Sequence, residues 1–273
     1  MLKRLEDQDK KRVLEYLSAE PEINTYLIGS VESFDSKEEI QDVWLIEKNG
    51  LIDSILLRYI DSYIPYSASS NFDAQALGEK LTKDSARGIS GKTTVINRIK
   101  SYVSGYEFEE MYLSKLDSVE VNANIGNLQR ATLDDVDELM EFYFSIPEFS
   151  MASHKETSTA MTRDGIESGT GRYYFIKRGS RIVAAAGTSA ENSMSAMLIA
   201  VATAKEYRNQ GLATDVVVGL CKDLLQNGKK FVCLFYDDPT AGAIYRHIGF
   251  QEIGKWTLGS RKTMPLISRS VYP

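Results

Sequence analysis

The residues with the clearest chemical potential run from Arg208 to Thr214, reading Arg-Asn-Gln-Gly-Leu-Ala-Thr. An apolar run, Met197–Thr203, leads through a charged turn into this loop, and a long apolar-periodic segment follows it. That layout is strand, tight loop, helix. Gly211 and Ala213 carry little side-chain bulk, so main-chain amides at the helix start can come close to a ligand. First-turn amides lack intrahelical acceptors, and the helix dipole adds partial positive charge, so such a start binds phosphate. A phosphate-bearing cofactor at Arg208–Thr214 is one reading. An ordinary strand-to-helix turn is the other, and the spacing alone does not separate them.

A second glycine-containing segment, Ala86-Arg-Gly-Ile-Ser-Gly-Lys-Thr93, nearly matches the phosphate loop of nucleotide hydrolases. Ala86 replaces its first glycine, and the preceding Leu81–Ser85 is too polar for the buried strand that such a loop requires. We expect a solvated loop there. Cys221 and Cys233 stand in apolar company and read as core thiols of a reducing compartment.

The elements that must position these residues are set by a chain of 273 residues, 43% hydrophobic and 26% charged. At ~100–200 residues per domain, two domains are expected. The net charge of -6 argues against broad attraction to nucleic acid or an anionic membrane. The N-terminus lacks a signal-peptide core, and no apolar stretch approaches the ~20 residues of a membrane helix, so the expected compartment is the cytoplasm.

We expect a first unit at 1–118, a polar linker at 119–127 and a second unit at 128–273. In the first unit, Asp7 or Asp9 starts a helix that ends before Pro21, and a second helix spans Ile23–Val31. Val43–Lys48 and Leu51–Tyr59 form a hairpin around Asn49-Gly50. A strand at Ser62–Tyr66 follows, then a helix capped by Asn71, a helix at Val95–Val103 and a strand at Phe108–Leu116. In the second unit, a short strand at Leu128–Ala131 precedes a helix with Val136, Leu139, Met140, Tyr143 and Phe144 on one face. Pro147 closes that helix, and a polar helix spans His154–Ser168. Strands at Arg172–Lys177, Arg181–Thr188 and Met197–Thr203 lead to the loop and its helix, which ends at Asn227-Gly228. Lys230–Tyr236 reads as a strand buried on both faces. Asp238-Pro239 caps a helix that Gly249 ends, and strands at Phe250–Thr257 and Lys262–Tyr272 flank a turn at Leu258-Gly259-Ser260.

From Leu128 onward this order resembles the GNAT (GCN5-related N-acetyltransferase) superfamily. Arg208–Ala213 fits the family's [QR]-x-x-G-x-[GA] pyrophosphate loop, Val201–Thr203 with Glu206-Tyr207 fits its lead-in, and Ala243–Phe250 fits its Y-x-x-x-G-F helix-to-strand motif. The first unit is similar only in its order of elements and has no such loop, as in the degenerate first half of a tandem-GNAT protein. The fold class implied is α+β: two tandem GNAT-like domains, each a mixed central sheet flanked by helices.

The resemblance implies an acyl-CoA cosubstrate, usually acetyl-CoA, with no metal. Its pyrophosphate would lie on Arg208, Asn209, Gln210, Gly211, Leu212, Ala213 and Thr214. Main-chain groups of Val201 and Thr203 would pair with the pantetheine arm. Tyr245 matches the position that in many members protonates the departing thiolate, with a core tyrosine whose hydroxyl is satisfied as the alternative. Asp238 stands where the family often has Asn at the arm, yet an ionised Asp cannot donate, and an N-cap role alone accounts for it. Glu191, in the turn before the motif strand, is the candidate base acting through water, with a solvated turn residue as the alternative. His154 could line the acceptor side, and His247 suits the end of a helix dipole. The expected function is acyl transfer to a primary amine of a small molecule or peptide. The alternative is a non-catalytic acyl-CoA sensor, and a homodimer is left open.

Overall fold

The computed structural model describes residues 2–34, 40–150 and 155–262. The chain divides into two compact units. One comprises Met1–Tyr112 with Gly254–Met264, the other Leu113–Ile253.

The first unit begins with β1 (Leu2–Arg4), α1 (Lys10–Leu17) and α2 (Thr25–Glu32). An antiparallel meander follows in β2 (Gln41–Lys48), β3 (Leu51–Tyr59) and β4 (Ser62–Tyr66). Positive φ at both Asn49 and Gly50 makes the β2–β3 connection the twist-matched hairpin turn that this pair of residues favours. α3 (Ala74–Lys83) crosses to β5 (Gly88–Lys92), which runs parallel to β4, and α4 (Thr93–Ile99) and β6 (Tyr106–Leu116) continue the chain. Leu56, Tyr63, Leu77, Leu81, Ile89 and Ile96 share the core beneath α3 and α4.

The second unit continues with β7 (Leu128–Arg130), α5 (Val136–Phe144), α6 (Pro147–Ser150) and α7 (Lys155–Ser168). It repeats the meander in β8 (Tyr173–Arg178), β9 (Arg181–Ser189) and β10 (Ser195–Thr203). Then α8 (Leu212–Gln226) crosses to β11 (Phe231–Tyr236), parallel to β10. α9 (Pro239–Ile248) and β12 (Gln251–Arg261) complete the described chain. Each unit therefore contains three antiparallel strands, a helix and a parallel fourth strand. Val216, Leu220, Leu224, Val232, Leu234 and Ile248 pack between the second sheet and α8 and α9, and Leu139, Tyr143 and Phe175 pack beneath α5.

Several expectations are corrected. Ala86–Thr93 is no solvated loop: Gly88–Lys92 is a mostly buried strand between β4 and β12. Its small residues hide the alternation that marks a strand. Asp73, not Asn71, caps α3, accepting from the Ala76 amide at 3.0 Å. Leu258-Gly259-Ser260 is strand interior, paired with Ser90, Ile89 and Gly88. Gly259 serves packing there, since a Cβ would lie 2.5 Å from the Phe108 ring. Residues 254–262 consequently belong with the first unit rather than the second. The polar stretch 119–127 lacks regular structure, yet Val119, Val121 and Ala123 pack on the core of the second unit. The expected strand at Lys262–Tyr272 lies outside the described residues except for Lys262, and His154 lies outside them altogether.

Candidate active site

The site is built where β10 and β11 part. Their parallel register runs from Ser195↔Phe231 to Leu198↔Leu234 and goes no further, although β10 continues to Thr203 and β11 to Tyr236. On its other edge β10 stays paired with β9 as far as Thr203↔Ala184. A register shift between Ile199 and Ala202, with Ala200 at φ 53°, marks a bulge that re-aims the strand. The Ala204 amide donates to the Val183 carbonyl at 2.9 Å. Because the peptide is trans, the Thr203 carbonyl of that same unit points to the opposite, open side. Val201 and Thr203 are half-buried along this edge, and the Thr203 hydroxyl is buried without a hydrogen-bond partner among the described residues.

The loop beyond is shaped by left-handed backbone at Asn209 (φ 62°) and Gly211 (φ 78°). No atom lies within 4 Å of a Cβ built on Gly211, so conformation rather than crowding calls for glycine there. α8 starts at Leu212, which is buried and anchors the helix. The Asp215 amide donates to the Gly211 carbonyl at 3.0 Å, and the amides of Leu212, Ala213 and Thr214 precede that first helical bond. These three amides stand at the first turn, ahead of the helical hydrogen-bond ladder. Asn209, Gln210 and Gly211 are exposed beside them.

Arg208 is already engaged. Its Nε donates to the Thr203 carbonyl at 3.1 Å, and its guanidinium pairs with Glu148 at 3.4 Å. A cleft of about 500 Å³ adjoins it, lined by Phe142, Ile146, Arg181, Val183 and Lys205 among others.

Tyr245 is buried in α9, its ring centroid 5.7 Å from that of Tyr236 and 5.9 Å from that of Phe250. Burial above all, with the nearby Asp238 and Cys221, holds its phenol well above the ordinary tyrosine range, so it keeps its proton. Asp238 caps α9, accepting from the Thr240 amide at 2.8 Å with Pro239 in the first turn. Cys221 and Cys233 are both buried.

Glu191 is not the solvated turn residue of the alternative reading. Its side chain is only 2% exposed, and both carboxylate oxygens accept from Arg172, at 2.7 and 2.6 Å. The Thr188 hydroxyl donates to it as well, at 2.6 Å, and Arg172 reaches on to Asp223 of α8. Burial opposes the charge of Arg172, but the hydrogen bonds it donates to Glu191 and Asp223 outweigh it and hold the guanidinium protonated. Glu191 also precedes the end of β10 where pairing with β11 is intact, opposite the parted end. Its placement is that of a structural ion pair.

Sequence reasoning passed over Arg172, Arg246 and Glu252, and read Tyr236 only as part of a buried strand. Tyr236 donates to Glu252 and accepts from Arg246 at 3.1 Å. Nothing local in the sequence signals contacts between residues 10 and 16 apart. Among the described residues, no group of three or more His, Cys, Asp or Glu side chains is placed to hold a metal ion, and no helix is long and apolar enough to cross a membrane.

The family model for GNAT acetyltransferases matches residues 89–258, more than half of the chain. The chain belongs to the GNAT acetyltransferase family. The match starts well ahead of residue 128, in β5 of the first unit. No curated protein sequence matches this one. Among solved structures, a protein from Drosophila is similar at a TM-score of 0.70 and 11% identity, over 95% of this chain and 98% of that one. A GCN5-related N-acetyltransferase from Sphaerobacter thermophilus is similar at 0.63 and 14% identity, over 100% and 98%. A tandem GNAT protein from the clavulanic acid biosynthesis pathway is similar at 0.61 and 12% identity, over 97% and 99%. These likenesses show the tandem GNAT fold.

Proposed function

We propose that this GNAT protein transfers an acetyl or other acyl group from acyl-CoA directly to a primary amine. The observation that carries the reading is the parted β10–β11 pair, whose open edge leads straight to the Gly211 helix start. An amide-bearing arm can pair with an open strand edge, a pyrophosphate can lie on first-turn amides, and both features belong to one continuous stretch, 199–214. The partnerless Thr203 hydroxyl at that edge is a further donor for a polar ligand.

In this reading the amides of Asn209–Thr214 hold the pyrophosphate, and Val201 and Thr203 align the arm. The neutral amine attacks the thioester carbonyl carbon; the C–N bond forms and the C–S bond breaks. Tyr245, protonated because it is buried, gives its proton to the leaving thiolate, and the proton released by the ammonium restores the Tyr245 phenol by way of water, so that amine and thioester give amide and thiol. Holding the thioester against the acceptor supplies the proximity contribution. Asp238 is assigned to capping α9, and Glu191 to the ion pair with Arg172.

That engagement of Glu191 favours a second reading, a non-catalytic acyl-CoA sensor, because it removes the one base candidate. Mass spectrometry of acyl transfer across a panel of amines, beside calorimetry with acetyl-CoA, separates the two. Tight binding with no transfer to any amine selects the sensor, and absence of binding removes both.

A further inference from the structure

Tyr236 ends β11, two residues beyond Leu234, the last residue of that strand in register with β10. Its ring lies directly on α9: a Cβ added at Gly242 would come within 2.3 Å of it. Its hydroxyl is held from two further elements. It donates to Glu252 of β12 and accepts from Arg246 of α9 at 3.1 Å, and Arg246 itself pairs with Glu252 at 3.1 Å. A closed ring of phenol, carboxylate and guanidinium thus joins the open end of β11, the body of α9 and the start of β12.

Tyr245 is the chain neighbour of Arg246, and its ring is wedged between those of Tyr236 and Phe250. Its own hydroxyl has no hydrogen-bond partner among the described residues, so its direction is set by the rotation of α9 and by the adjoining rings. Packing does not account for the Tyr236 hydroxyl, because a phenylalanine ring would fill the same space over Gly242. Stability does not account for the charged partners either. Arg246 is 52% and Glu252 38% exposed, and an ion pair so open to solvent adds little to stability by its charges. What the three groups supply is geometry.

We propose that Tyr236, tied by Arg246 and Glu252, is a positioning residue for Tyr245: it fixes α9 against the open end of β11 so that the Tyr245 hydroxyl faces the leaving sulfur. This rests on the reading of Tyr245 as proton donor, and two measurements keep the two ideas apart. The first needs no activity. In hydrogen exchange of the full chain, Tyr236→Phe should raise exchange about tenfold across residues 239–248 and leave residues 216–226 of α8 unchanged. Unchanged exchange in α9 overturns the latch whether or not the protein is an enzyme.

The second is a kinetic cycle with acetyl-CoA and an accepted amine. Tyr236→Phe should lower kcat about tenfold with KM for acetyl-CoA within twofold. It should cause no further loss in a Tyr245→Phe background, because its effect passes through Tyr245. Glu252→Gln, which keeps an acceptor oxygen, should retain most of kcat, whereas Glu252→Ala should behave like Tyr236→Phe. Losses that multiply in the double variant overturn the positioning role. If Tyr245→Phe alone leaves turnover unchanged, the proton-donor reading falls and the positioning proposal falls with it, while the exchange result still reports on the latch.

Discussion

The guanidinium of Arg208 donates to the main-chain carbonyl of Thr203 at 3.1 Å, across the loop that separates β10 from α8. That carbonyl faces the edge of β10 that β11 leaves open. Arg208 therefore caps the strand edge that an acyl-CoA arm would pair with, and Glu148 offsets part of its charge. An acyl-CoA arm bound there would compete with this arginine for the same carbonyl unless Arg208 turned outward to a phosphate.

Arg208→Ala should separate the two halves of the ligand. Acetyl-CoA should bind about tenfold more weakly, the scale of one lost charge-assisted hydrogen bond. Acetyl-pantetheine, which carries no pyrophosphate, should bind as well as it does to the wild type, or better. Titration calorimetry with both ligands is the measurement. Equal weakening of the two would assign Arg208 to supporting the strand edge.

Gly211 tests conformation against charge. Alanine at φ 78° has space around it, so Gly211→Ala should cost only the left-handed backbone penalty of about 1–2 kcal/mol. Gly211→Glu should carry the same penalty in thermal melts and, in addition, abolish acetyl-CoA binding by placing a carboxylate at the anion-receptive helix start. Normal binding by the Glu variant would remove the loop from the cofactor site.

Glu191 should matter to stability before chemistry. Glu191→Ala leaves Arg172 charged, largely buried and held only by Asp223, and removing one partner of a buried pair costs about 3–5 kcal/mol. Urea denaturation should show that loss. A variant of wild-type stability with a large drop in kcat would return Glu191 to the reaction.

The alkaline limit of stability should follow the tyrosines. Burial, first among the causes for each, raises Tyr143, Tyr173, Tyr236 and Tyr245 above the ordinary value. A raised folded-state pKa means that the folded protein holds its proton longer than the unfolded chain. Their contribution is thus fully present below about pH 10, the unfolded tyrosine value, and is lost as pH rises toward the folded values. Denaturation midpoints should be flat in this respect through neutrality and fall above about pH 10, with the phenolate absorbance of these four appearing only on unfolding. Phenylalanine at any one of the four should leave the folded protein's phenolate absorbance near pH 10 unchanged, and a drop would contradict the burial.

The last strand should be indispensable to the first unit. Trp256–Ser260 pair residue for residue with Lys92–Gly88, and Trp256 is fully buried. Trp256→Ala should cost about 3–5 kcal/mol. A chain ending at Ile253 should lose protease resistance in residues 41–112. Resistance equal to that of the full chain would mean that β5 does not need β12.

The sequence by itself determined the order of elements from Leu128 to Thr257, the tight loop at Arg208–Thr214 that opens α8 and the helix caps at Asp238 and Gly249. Each of these is written in neighbouring residues: a periodicity, a glycine at a helix start, an Asp-Pro pair. It determined the first unit less completely, because Gly88–Lys92 has too little side-chain bulk to show which face is buried. Only the tertiary structure decided that β10 and β11 part beyond Leu198, that β12 completes the sheet of the first unit, and that Glu191 is spent on Arg172 while Tyr236 joins Arg246 and Glu252. The reason is common to all of them. Which strands pair, and which of many carboxylates meets a given arginine, is set by contacts between distant parts of the chain, and local spacing carries no record of those contacts.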